Sequence, residues 1–204
     1  MRMKGVRDLE VLELFDRIPR HLFLPEGVWA RAYGDEPVPI GYGQTASQPS
    51  LQAIYLEILQ PTAHDTVLEL GTGCGFLTAL LSQMANRVYS VERIPQLSAR
   101  AREVLDRLEI RNVALLVGDG TIGWRKYAPF DVIVVSAAAP EVPRSLVDQL
   151  ADGGRMLIPV GSRDAQRLVL VEKHGFAVTE QPLDPVSFVP LLGKYGFKTE
   201  GDEE

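Results

Sequence analysis

The hydrophobic rhythm of the chain changes near residue 66. Before it, RDLEVLELFDRI (7–18) sets Leu9, Leu12, Leu14, Phe15 and Ile18 at near-helical spacing, and Pro19 ends the run. RHLFLPEGVWARAYGDEPVPI is broken by proline and glycine and predicts no regular element. PIGYGQTASQPS (39–50) is too broken for a helix and too polar for a core strand, so it reads as a flap that is neither. SLQAIYLEILQ (50–60) predicts a helix capped by Ser50 or Ser47 and stopped at Pro61.

From Thr66 onward, short apolar runs alternate with helical patterns. TVLEL (66–70), RVYSVE (87–92), NVALLVGD (112–119), FDVIVVSAA (130–138) and GGRMLIPVG (153–161) read as buried strands. FLTALLSQMA, PQLSARAREVLDRL and VPRSLVDQL (142–150) read as the helices between them. QRLVLVEKHG and FAVTEQPLDPVSFVPL (176–191) add two more strands, expected to be antiparallel. This alternation predicts an α/β fold, a doubly wound and mostly parallel sheet, with an N-terminal helical and loop cap and antiparallel C-terminal strands.

At 204 residues the chain fits one domain. A hydrophobic share of 46% with 24% charged residues allows a sizeable core. The net charge of −6 does not favour a polyanion-binding surface, so no nucleic-acid partner is expected. No run of about 18 uncharged apolar residues occurs, and charges break the apolar runs of the N-terminus, so neither a membrane span nor a signal peptide is expected. Cys74 is the one cysteine, which excludes an intrachain disulfide and suits a reducing, cytoplasmic setting. A redox role for Cys74 would lack a resolving partner, and packing is the expected role. His21, His64 and His174 lack a metal-ligand spacing. His64 reads as a turn residue, and His21, Trp29 and Trp124 read as structural.

The strongest chemical signal is VLELGTGCGF, with Gly71, Gly73 and Gly75 between a predicted strand and a predicted helix. Glycines there turn the backbone sharply and leave no Cβ to block a ligand laid against it. Glu92 follows Gly71 by 21 residues, at the end of the next strand. A carboxylate at that point can accept both ribose hydroxyls of an adenosine ligand, although a tight strand-to-helix turn would use the same glycines. No G-x-x-x-x-G-K-[ST] cradle occurs, and G-x-G-x-G differs from the dinucleotide spacing G-x-G-x-x-G. A nicotinamide-dependent oxidoreductase therefore fits less well than an enzyme with a phosphate-free adenosine cofactor.

Glu69, the glycine loop and LLVGDGT together resemble the motifs of class I methyltransferases, whose Rossmann-like fold binds S-adenosylmethionine. The resemblance implies that Glu69 supports the cationic end of the cofactor and that Asp119 lies beside its adenine amino group. It also assigns Gly71, Thr72, Gly73, Gly75, Glu92, Arg93, Gly120 and Ala137 to the cofactor site. The fourth strand of this series ends in DVIVVSAAAP. The Asn/Asp-Pro-Pro-aromatic motif of amino-methyltransferases is absent, as is the aspartate that holds magnesium in catechol-type enzymes, so no metal is expected. A site without a strong base suits an acceptor that is already ionised, such as a carboxylate.

PIGYGQTASQPS resembles the segment that precedes the glycine loop in protein-L-isoaspartate O-methyltransferases. RIPRHLFLPE, the long segment from GDGTIGWRKY to RMLIPVG, and FVPLLG extend the resemblance over roughly residues 15–195. It implies methyl transfer from S-adenosylmethionine to the α-carboxyl of L-isoaspartyl residues in damaged proteins and peptides, which starts repair through a succinimide. It makes Ser47 the active-site residue, with Gln44 and Thr45 beside the ligands. It also implies one domain over 1–204. A cap and flap would occupy 1–60, a cofactor-binding core 61–180, a C-terminal strand region 181–197 and an acidic tail 198–204, in a chain expected to be monomeric. Ala46, Ser50, Cys74, Phe76 and Ser187 depart from the family's commoner residues. A small-molecule methyltransferase is the first alternative, and a non-catalytic nucleoside binder is disfavoured by an intact QTASQP.

Overall fold

The structure is a computed structural model and describes residues 5–198; the acidic tail expected at the C-terminus falls almost wholly outside them. In chain order it contains α1 (Leu9–Arg17), β1 (Val38–Gly41), β2 (Gln44–Ala46), α2 (Pro49–Leu59), β3 (Thr66–Leu70), α3 (Phe76–Met84), β4 (Arg87–Glu92), α4 (Pro95–Arg107) and β5 (Val113–Val117). β6 (Phe130–Val135), α5 (Arg144–Val147), β7 (Leu150–Gly161), β8 (Gln166–His174) and β9 (Ala177–Val186) follow. Two 3₁₀ turns, Arg20–Phe23 and Glu26–Arg31, link α1 to β1.

β3 to β9 form one sheet in the order β5-β4-β3-β6-β7-β8-β9. Pairings from β5 through β7 are parallel, and β7-β8 and β8-β9 are antiparallel. Alternate strand residues feed two cores. Val67, Val88, Val132, Val134 and Leu157 pack with α1 to α4 on one face. Leu68, Leu70, Ile133, Val135, Met156 and Ile158 pack on the other with α5 and the Trp124–Tyr127 region. The two faces are covered unequally. The helix expected over 142–150 is one turn, because Leu150 already pairs with Phe130 and β7 begins there. β9 ends at Val186, short of the expected 191, and the chain then turns back across the sheet edge.

The flap corrects the sequence reading. It is a hairpin, with β1 and β2 joined by Tyr42 and Gly43 at φ of 56° and 69°. Positive φ at both central residues is the turn geometry that matches strand twist in two-residue hairpins. The polar run was misread because pairing with Val38–Gly41 satisfies backbone groups that looked orphaned along the chain. The capping expectation fails too. Gln48 occupies the N-cap of α2 without a side-chain bond, and the Ser50 amide donates instead to the Asp35 carboxylate at 3.0 Å.

Gly71, Gly73 and Gly75 all have positive φ, and a Cβ on Gly75 would lie 2.8 Å from Cβ of Ala101 in α4. The close approach of loop and helix thus requires glycine twice over, for conformation and for space. Gly75→Ala is expected to destabilise the fold by about 2–4 kcal/mol. Gly153→Ala, also at positive φ but with nothing within 4 Å, should cost about 1 kcal/mol. Urea unfolding of both variants checks the ranking, and equal losses would show that the contact with Ala101 does not matter.

Candidate active site

β3 connects through α3 to β4 on one side, while β6 lies on its other side, so the strand order reverses between β3 and β6. Ligands of open α/β sheets bind at the carboxyl ends of the strands at such a point. A cavity of about 320 Å³ lies there. Its floor is Gly71, Thr72, Gly73 and Cys74 after β3, Glu92, Arg93 and Ile94 after β4, and Gly120, Ser136 and Ala137 after β5 and β6. Gln44, Thr45, Ala46 and Ser47 of the flap close one wall. Val189, Pro190, Leu191 and Leu192 close another.

Glu92 is 6% exposed, and each of its carboxylate oxygens accepts from one backbone amide: Gly73 at 2.8 Å and Ile94 at 2.9 Å. The carboxylate therefore locks the glycine loop to the loop after β4. Carboxylate oxygens take more than one donor, so acceptor capacity remains toward the cavity.

Glu69 is placed differently from the sequence expectation. It is fully buried beneath the glycine loop and does not line the cavity. Thr78 and Ser90 hydroxyls donate to its Oε2 at 2.5 and 2.6 Å, while its Oε1 has no partner among the described residues. Ser90 also shares a 2.5 Å hydrogen bond with the Thr72 hydroxyl, and Thr72 reaches the cavity wall. The effect of Glu69 on a ligand must pass through this chain or through its field. Burial pushes its carboxyl from the ordinary 4.5 up to about 7; the bonds from Ser90 and Thr78 oppose the rise and the Glu92 charge adds to it.

Asp119 and Gly75 also fall outside the cavity lining. Asp119 accepts from the amide and hydroxyl of Thr121 at 2.8 and 2.7 Å and from the Lys194 amide at 2.8 Å. It ties down the C-terminal segment rather than presenting a free carboxylate. That segment is also held by backbone bonds between Ala138 and residues 189 and 191, which place 189–192 on the cavity. The remaining nominated residues, Gln44, Thr45, Ser47, Gly71, Thr72, Gly73, Glu92, Arg93, Gly120 and Ala137, all line it. Sequence reasoning missed Ile40, Gln52, Leu97 and Ser136, as well as the wall formed by 189–192. FVPLLG was the available signal for that wall.

Cys74 is buried, which pushes its thiol up from the ordinary value. His21 bonds the Tyr33 hydroxyl at 2.6 Å and meets Trp29 edge-on, His64 lies in an exposed turn, and Trp124 packs on Tyr89 and Tyr127. Among the described residues no three His, Cys, Asp or Glu side chains group as a metal site.

The family described as Protein-L-isoaspartate(D-aspartate) O-methyltransferase matches residues 1–196. The chain belongs to that family. A protein-L-isoaspartate O-methyltransferase of Methanoculleus marisnigri is 48% identical over 200 residues, 98% of this chain and 91% of the relative. A solved protein-L-isoaspartate O-methyltransferase superposes with a TM-score of 0.86 at 30% identity, covering 94% of this chain and 63% of that one. A Plasmodium falciparum protein described as a beta-aspartate methyltransferase, solved with S-adenosyl-L-homocysteine, gives 0.81 at 26% identity with 93% of each chain covered. The likeness to these two solved structures thus spans more than nine-tenths of the chain, well beyond the glycine loop.

The raised Glu69 carboxyl has a consequence for stability. The folded chain keeps a proton that the unfolded chain has lost, so this contribution is full below about pH 4.5 and disappears as pH rises through about 7. Glu69→Gln retains an acceptor for the two hydroxyls and cannot ionise. Its stability relative to the native chain should rise between about pH 5 and about pH 8, by up to about 3 kcal/mol. Denaturant unfolding at both pH values checks this, and a constant difference would mean that Glu69 ionises normally.

Proposed function

We propose that this chain transfers the methyl group of S-adenosylmethionine to the α-carboxyl of L-isoaspartyl residues in proteins and peptides. The observation that carries the reading is family membership along the chain, in a molecule whose flap residue Ser47 lines the same cavity as the glycine loop.

The donor set suits this cofactor. The buried carboxylate of Glu92 lies at the loop, with the Glu69 carboxyl beneath it, which favours a cation and disfavours a pyrophosphate. Val91, Ile94 and Leu97 give an apolar surface for an adenine, and Glu92 retains acceptor capacity for ribose hydroxyls. When bound, the cofactor supplies an electrophilic methyl on a positively charged sulfur. The chain supplies place and alignment. An ionised acceptor carboxylate needs no base, so the hydroxyl of Ser47 donates a hydrogen bond that sets its approach. Ser47 lines the cavity and its hydroxyl bonds nothing among the described residues, which leaves that donor available. An acceptor oxygen gains the methyl as the sulfur–carbon bond breaks, and the sulfur keeps the electron pair. The ester is a better leaving group than the carboxylate, so the next backbone amide closes a succinimide that reopens partly as normal aspartate.

We further infer one catalytic domain that acts as a monomer in the cytoplasm, with damaged polypeptides as its partners and neither nucleic acid nor membrane. No helix among the described residues is long and apolar enough to cross a membrane.

Ser47→Ala should lower kcat/KM for an isoaspartyl peptide by about 5- to 100-fold, the loss of one orienting hydrogen bond in the transition state. A tritiated methyl-transfer assay, offering the isoaspartyl peptide beside its normal-aspartyl isomer, tests both the residue and the acceptor. Full turnover by Ser47→Ala removes the serine's role. Equal labelling of the two peptides, or of neither, overturns the acceptor assignment.

A further inference from the structure

Arg20 stands between α1 and the flap and is 1% exposed. Its Nη2 donates to the Ser47 carbonyl at 2.9 Å and its Nη1 to Gln52 Oε1 at 2.7 Å. The guanidinium carbon lies 5.1 Å from the ring centre of Phe76. Both hydrogen-bond partners line the cavity, and Arg20 itself does not.

Two features separate this arginine from an ordinary structural tether. It forms no ion pair among the described residues. Asp35 favours its charge through space but makes no ion-pair contact with it. Its Nε is buried with no partner. A buried guanidinium without a counter-ion is costly to the fold. Here the charge, offset by Asp35 only through space, lies directly behind the flap residue that lines the cavity, while the buried carboxylate of Glu92 lies at the glycine loop. An anion placed at Ser47 would add to that counter-charge.

We propose that Arg20 is the positioning residue of the acceptor subsite: it fixes Ser47 and Gln52 on the cavity wall, and its unpaired charge favours a carboxylate there. The inference rests on the reading of Ser47 as the group that orients the acceptor. It assigns Arg20 no contact with the substrate. The tie to the Ser47 carbonyl sets the backbone and leaves the hydroxyl free, and Gln52, one turn into α2, keeps the guanidinium plane in register.

The test is a mutant cycle with binding measured separately. Arg20→Met should weaken binding of an isoaspartyl peptide to the enzyme loaded with S-adenosylhomocysteine by about 10- to 100-fold. Calorimetric affinity for S-adenosylmethionine should change by less than about 3-fold. Arg20→Lys, which keeps the charge and loses the fork, should fall between native and Arg20→Met. In a Ser47→Ala background, the Arg20→Met penalty on kcat/KM should shrink several-fold, because part of its effect acts through the serine. Equal losses of peptide and cofactor affinity, or full additivity with Ser47→Ala, would overturn the proposal. If Arg20→Met does not fold, Gln52→Leu breaks one anchor and should give the same peptide-selective loss in weaker form; a cofactor-selective loss would count against it. Full activity of Ser47→Ala alone would instead defeat the reading on which the inference rests.

Discussion

A single carboxylate sets the distance between the two loops that hold the cofactor region. Glu92 ends β4 and accepts from the Gly73 and Ile94 amides, one through each oxygen. Without it, the amides of Gly73 and Ile94 would each lose their partner in the wall between the two loops. The same restraint explains the glycines. Once the loop is drawn toward the end of β4, Gly75 meets Ala101 with no room for a Cβ, while Gly71, where a Cβ would lie 3.4 Å from Ser136, requires glycine for its positive φ. Ligand geometry and packing geometry are one requirement here. That is why the spacing of the motif is so regular, and why a functional motif is also a stability determinant.

How much of this could be read along the chain depends on range. Short-range periodicity identified all seven strands of the sheet, because buried parallel strands are continuous apolar runs. TVLEL and FDVIVVSAA are examples. It failed where a partner distant in sequence decides the local conformation. The flap became a hairpin through pairing within 38–46, and the helix expected at 142–150 lost most of its length to the pairing of Leu150 with Phe130. Site residues followed the same rule. Glu92 and Gly73, which loop and strand order point to, and Ser47, which the family resemblance points to, all line the cavity. Glu69 and Asp119 do not line the cavity, because a strand residue's facing, and a carboxylate's partners, are set by neighbours that the sequence does not name. Ser90, Thr78 and the Lys194 amide are those neighbours. Arg20 gave no warning at all, since an arginine in a proline-rich segment normally reads as surface.

These buried charges explain why one cavity can serve two ligands of opposite sign. Negative charge at the glycine loop rests on Glu92, and the Glu69 carboxyl beneath it adds to that charge only as it ionises near pH 7. Positive charge stands behind the flap, in Arg20. Each is removed from solvent, so screening by salt weakens them less than it would surface groups. A cationic donor and an anionic acceptor are then held at different ends, and both charges diminish as the methyl passes. The ester product is neutral, so it loses the attraction that drew its parent carboxylate to the flap, while the demethylated cofactor loses its charge on sulfur. A site built on separated charges therefore holds its substrates more tightly than its products. The loss of charge that accompanies the transfer thus favours release of both products.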